Sequence, residues 1–178
     1  MKGFMKKGFT LIELLIVIAL LGALAIGLIG ALDPFEQLKK GTDTGVRNTV
    51  SEIHSAIIRY YALKGSMPWC DAGDNLCTGA GAIFGASMGP SGAMLNSTGM
   101  SQVVANIVDT GELKSNFSTV QASQLGKISV TGSSQDVAVC FKPDSKSFRA
   151  DNNTRYDQYG LTTTSCGGTA THCYWCVQ

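Results

Sequence analysis

Between Phe9 and Leu32 the chain runs FTLIELLIVIALLGALAIGLIGAL, with one charged side chain, Glu13. As a helix this segment would be about 36 Å long, against a bilayer hydrocarbon thickness of about 30 Å. It has no polar face, so it does not fit the core of so small a chain. The preceding MKGFMKKG contains Lys2, Lys6 and Lys7 and no acid, a basic flank that the positive-inside rule keeps cytoplasmic. A secretory signal is one reading, because Ala23-Leu24-Ala25 offers a small-x-small site. A plain membrane anchor is another. Neither explains Glu13, an acid placed where charge is expensive and ordinarily functional.

Lys6 through Leu20, KKGFTLIELLIVIAL, resembles the amino-terminal signature of bacterial type IV pilins and of the pseudopilins of related secretion machines. The likeness continues more loosely to about Tyr61. It implies a leader of residues 1–8, cut after Gly8 by a prepilin peptidase, and Phe9 as the new, N-methylated first residue. It also implies that Glu13 is the acid needed for assembly. Physical reasoning agrees with that role. Cleavage would leave a cationic amine on Phe9, and an isolated ammonium or carboxylate in an apolar core is very costly. Glu13 of one subunit can answer the amine of its neighbour, and within its own chain it can bond amides at the helix start. Losing the leader would remove three lysines and no acid, leaving 11 basic residues of 14 against 13 acidic ones.

The implied partners are other copies of the chain in a helical homopolymer, minor pilins, the prepilin peptidase, an inner-membrane platform with its assembly ATPase, and lipid before assembly. ATP would be spent by that separate motor, since this chain has no phosphate-binding loop. The implied work is that of a pilus subunit supporting adhesion, twitching motility or DNA uptake. The precursor would sit in the cytoplasmic membrane with its C-terminus outside, and the product in a surface fimbrium. A pseudopilin in a periplasmic pseudopilus is one alternative. A membrane-anchored, disulfide-rich binding domain is another.

Asp33-Pro34 ends the apolar run. Proline lacks a backbone donor and clashes with the preceding turn, so a kink or local melting is expected at Pro34. Alternatively, Asp33 caps a helix restarted with Pro34 at its first position. Beyond it, Val46, Val50, Ile53, Ile57 and Tyr60 recur at helical spacing, a stripe that needs a partner surface. The pattern predicts one bent helix from Phe9 to about Lys64, with residues 9–32 as membrane or filament core and 33–65 as an amphipathic stem. Lys64-Gly65 supplies the stop.

Residues 66–178 are expected to form a disulfide-rich domain. The fold class is α+β, with a small antiparallel sheet packed on the amphipathic half of the long helix. Residues 70–98 predict a glycine-rich loop, Ser101 to Val108 a short helix, and Lys127 to Thr131, Asp136 to Phe141 and Ser147 to Ala150 strands. Six cysteines, Cys70, Cys77, Cys140, Cys166, Cys173 and Cys176, predict disulfides in an exported domain with a thin core. Cys70 with Cys77 would close a short loop, and a bond from Cys140 would pin the tail, but sequence does not choose the pairing. Cys166, His172, Cys173 and Cys176 suggest zinc, yet no second paired ligand group accompanies them. No metal or cofactor is therefore expected.

An enzyme is not expected either. His54, inside the amphipathic helix beside Ser51 and Ser55, reads as a helix-surface residue, since a triad needs a geometry that sequence does not show. The acids Asp144, Asp151 and Asp157 lack calcium-loop spacing. Tyr156, Tyr159, Tyr174 and Trp175 could stack on bases, but the near-neutral charge points to core packing, with no strong nucleic-acid signal.

Overall fold

A computed structural model describes residues 8–31, 33–70, 92–164, 166 and 173–178. The chain divides into two units, Met1–Leu38 and Lys39–Gln178.

In the first unit, helix α1 spans Leu11–Ala31 and buries none of its side chains. It is about 32 Å long at 1.5 Å per residue, close to the hydrocarbon thickness of a bilayer. Among the described residues it is the one helix long and apolar enough to cross a membrane. Helix α2 then runs Pro34–Lys64. The chain thus forms two helices in place of a single bent one, and the reason is local. Asp33 Oδ1 accepts from Glu36 N at 3.2 Å, and Asp33 O accepts from Gln37 N at 3.3 Å. Asp33 is the cap, and Pro34 takes the first helical position, where a missing N–H costs nothing.

In the second unit, α2 buries Asp43, Val46, Thr49, Val50, Ile53, Ala56, Ile57 and Tyr60, a single stripe at three- and four-residue spacing. It ends where Gly65 adopts φ +71° and donates its N–H to Tyr61 O at 2.8 Å, a left-handed stop that glycine takes without Cβ strain. Among the described residues the sheet has five strands, all antiparallel. Its order is β1 (Ala93–Met94), β2 (Ile128–Gly132), β3 (Val137–Phe141), β5 (Tyr174–Val177), β4 (Thr154–Tyr156). Strand β1 falls inside the stretch expected to be loop.

Helix α3 (Thr98–Asp109) buries Met100, Val103, Val104 and Ile107 and starts a turn earlier than its sequence suggests. Two helical turns, α4 (Phe117–Val120) and α5 (Ala122–Leu125), precede β2. The β2–β3 hairpin closes through Ser133, whose Oγ accepts from Gln135 N at 3.2 Å and Asp136 N at 3.1 Å. Gly132 is required there, because a Cβ would stand 2.6 Å from Asp136 O and 2.8 Å from the Trp69 ring.

The core joins the α2 stripe to α3, Trp69, and Ile128, Val130, Val139, Phe141 and Trp175 of the sheet. The opposite sheet face carries Cys140, Tyr156 and Cys176. Strand β3 alternates between these two faces, as a strand must.

The expected strand at Ser147 to Ala150 is a helical turn instead, α6 (Lys146–Arg149). The cause lies far away in sequence. Asp43 on α2 is 1% exposed, and its Oδ2 accepts from Ser145 N at 2.7 Å and Ser145 Oγ at 2.6 Å. Both its oxygens lie 3.1 Å from Asp144 N. Ser145 Oγ in turn accepts from Phe148 N at 3.3 Å. The helix carboxylate therefore fixes the cap residue, and the cap residue starts the turn.

Candidate assembly segment

The functional expectations converge on the start of α1. Gly8 and Phe9 precede the helix and are exposed. Among the described residues, a Cβ built on Gly8 would meet nothing within 4 Å. Glu13 lies in the first turn. Its Oε2 accepts from Thr10 N at 2.9 Å and Thr10 Oγ1 at 2.7 Å, while Glu13 N donates to Thr10 Oγ1 at 3.3 Å. This is a reciprocal capping box, which places a carboxylate beside the unpaired amides of the helix start. Thr10 is the residue that sequence reasoning passed over. Its signal was present, since T-L-I-E has the Ser/Thr-x-x-Glu form of such a box.

The body of α1 defines what the segment can do. About a dozen Leu, Ile and Val side chains stand exposed along it, and each forgoes roughly 1.5–3 kcal/mol by staying in water. The total exceeds the 5–15 kcal/mol of net stability typical of a whole domain. Lipid or neighbouring apolar helices must therefore cover α1, and inside that covering Glu13 is its single formal charge.

Pro34 opens α2 as described above. Cys140 pairs with Cys176 across directly opposed positions of β3 and β5, and Cys166 pairs with Cys173. Cys70 is also disulfide-bonded. Cys77 and His172 lie outside the described residues, as does most of the glycine-rich stretch. The Cys173/Cys176 CxxC is thus divided between two disulfides and does not act as one chelating pair. Among the described residues, no three of His, Cys, Asp and Glu gather as a metal site would require.

The remaining candidates hold structure. Trp175 packs 5.6 Å from the Phe141 ring and lies under the Arg47 guanidinium at 5.1 Å. Asp157 Oδ1 accepts from Tyr159 N and Leu161 N, and Asp151 Oδ1 from Asn153 N, so these acids tie loops. Asp144 pairs with Lys127 at 3.2 Å on the surface. His54 is half-buried, and burial holds its imidazole below the ordinary value.

Residues 4–29 match the prokaryotic N-terminal methylation motif. No curated protein and no solved structure matches the chain. The matched stretch contains Gly8, Phe9, Thr10, Glu13 and most of α1.

Proposed function

We propose that this chain, which bears the leader motif of type IV pilins and pseudopilins at residues 4–29, is a structural subunit of a type IV pilus. The observation that supports this reading most directly is the matched leader joined to α1, an entirely exposed apolar helix with one acid near its start. In the proposed sequence of events the precursor rests in the cytoplasmic membrane with its C-terminus outside. The peptidase removes residues 1–8, and Phe9 is methylated on its new amine. Residues 9–32 then become filament core, 33–65 the stem, and 66–178 the coat. The interruption at Asp33-Pro34 is where the stem gives during packing. Repetition of one heterologous contact produces a rod. Adhesion, twitching or DNA uptake would be the work of that rod. A pseudopilin bears the same leader, and abundant long surface fibres built of this chain are the outcome that favours a pilus.

In the unprocessed chain Phe9 N is a peptide nitrogen, and among the described residues Glu13 bonds Thr10. After cleavage the neighbour's Phe9 amine becomes the stronger partner. Breaking such a pair in an apolar core by removing one member costs about 3–5 kcal/mol. Glu13→Leu should therefore insert and be processed normally while the ratio of sheared filament to membrane-held subunit collapses. Asp109→Asn, at an exposed position, should leave that ratio unchanged. Normal filament yield from processed Glu13→Leu protein would overturn the proposed pairing.

A further inference from the structure

Two disulfides near the carboxyl end are nested. Cys140–Cys176 spans 36 residues and encloses both members of Cys166–Cys173, which spans 7. The outer bond depends on the sheet. Cys140 and Cys176 stand opposite one another only in the β3–β5 register, and β5 is the last of the described strands.

The inner cysteines come first in the chain. On the export proposed above, Cys166 arrives about ten residues ahead of Cys176, an interval of roughly 0.5–2 s at about 5–20 residues/s. An oxidant that takes thiols in order of arrival therefore joins Cys140 to Cys166 and leaves Cys173 and Cys176 to each other. Chain statistics do not correct this, because the Cys140–Cys166 loop is shorter than the Cys140–Cys176 loop and costs less entropy to close. Both of these pairs differ from the native ones.

We infer that the tail is first oxidised in chain order, Cys140 with Cys166 and Cys173 with Cys176, and that an external thiol catalyst, a disulfide isomerase, then rearranges it to the native pairs. The inference rests on the export step of the filament reading. Each bond made in the first stage reduces one protein disulfide of an exported oxidase to its dithiol. The second stage is redox-neutral. All four tail cysteines are then oxidised, so the thiol that starts the exchange comes from outside the tail. The catalyst thiolate attacks Cys166 Sγ, forms a mixed disulfide and releases the Cys140 thiolate. That thiolate attacks Cys176 Sγ and releases the Cys173 thiolate. Cys173 in turn attacks Cys166 Sγ and expels the catalyst thiolate unchanged. The chain holds the same number of disulfides before and after, and β3–β5 pairing drives the middle step by setting Cys140 against Cys176. Cys140 is 1% exposed and Cys176 2%, so the finished bond is closed to a further thiolate and exchange stops there.

The test follows the full chain in its host. Cells are pulse-labelled, free thiols are blocked with N-ethylmaleimide at increasing times, and exported chains are digested unreduced with trypsin and chymotrypsin. Native pairing frees residues 162–174 as one peptide closed by its own Cys166–Cys173 bond. Pairing in chain order leaves that peptide linked to the one containing Cys140. The linked form should predominate first and give way to the native form during the chase. Early chains purified without thiol should keep their pairs, and reduced glutathione should speed their conversion by about tenfold or more, because exchange needs a thiolate. Cys166→Ser/Cys173→Ser, which has no competing pair, should show Cys140–Cys176 from the first time point. Native pairs in the earliest complete chains, or conversion of purified chains with no thiol added, would overturn this inference and leave the filament reading standing. Cysteines that stay reduced throughout would overturn export, and the filament reading with it.

Discussion

Asp43 is where the stem helix grips the sheet domain, and removing its carboxylate should cost more than any surface charge on the molecule. Three donors converge on it from residues 144 and 145. In Asp43→Ala the Ser145 hydroxyl can turn toward Ser147 Oγ, 3.4 Å away, but the amides of Asp144 and Ser145 lose their acceptor in a buried place. Hydrogen bonds to a charged group contribute about 1.5–3 kcal/mol each, and an orphaned buried donor costs about 1–3 kcal/mol. The expected loss is about 3–5 kcal/mol, a large share of a stability of about 5–15 kcal/mol. Asp43→Asn keeps one acceptor oxygen but turns an N–H₂ toward donors, so it should lose roughly half as much.

The assay is urea unfolding of the processed chain in detergent with its disulfides intact, followed by the fluorescence of Trp69 and Trp175, both buried. The control is Asp144→Ala, which deletes the exposed partner of Lys127 and leaves the Asp144 amide in place. It should cost no more than about 1 kcal/mol. If Asp43→Ala and Asp144→Ala lose the same small amount, the latch has no energetic content and the reasoning fails.

Mass analysis of protein from native membranes or fibres should show loss of Met1–Gly8 and gain of one methyl group; a chain beginning at Met1 or Ile26 would contradict the leader assignment. The Cys140–Cys176 bond spans 36 residues and Cys166–Cys173 spans 7, so chain entropy predicts losses of about 3.8 and about 2.4 kcal/mol when each pair is changed to serine; equal or reversed losses in urea would refute that ranking. His54 titrates below its ordinary 6.5 because of burial, so the unfolded chain binds its proton first as pH falls. Its contribution to stability is present above about 6.5 and is lost as pH drops through that value toward the lower folded one. The fall in unfolding midpoint between pH 7 and pH 5 should therefore be shallower in His54→Gln, and an unchanged slope would show that His54 is not the group responsible.

Elements with their own local pattern were legible in the sequence. Val46 to Tyr60 announced the α2 stripe, and Val137, Val139 and Phe141 announced β3 by alternation. Strand β5 was not legible, because Trp175 and Cys176 are buried side by side on opposite faces of a sheet covered on both. Strand β4 is three residues, Thr-Arg-Tyr, too few for a period to appear. The turn α6 resembled a strand because its determinant, Asp43, stands about a hundred residues earlier. At the amino end the acid was conspicuous and the threonine that holds it was not, since one charge in an apolar run draws the eye more than a common hydroxyl at its edge.

The position of β5 also sets an order of events. Strand β4 joins the sheet only through β5, and β3 meets β5 rather than any strand nearer in sequence on that side. On the proposed export, in which the residues after α1 cross the membrane in chain order, α2, α3 and the β2–β3 hairpin would gather early, since their contacts are comparatively local. Until Tyr174–Val177 arrives, β3 presents a bare edge, β4 has only the bridge from Tyr156 to Thr162 and no strand of the sheet beside it among the described residues, and Cys140 waits with its thiol unclaimed by Cys176. An unfinished strand edge is a template for the wrong neighbour. Completion of the sheet and formation of that cross-strand bond thus become one late event, and a subunit whose tail is delayed would be the form most exposed to mispairing and to proteolysis.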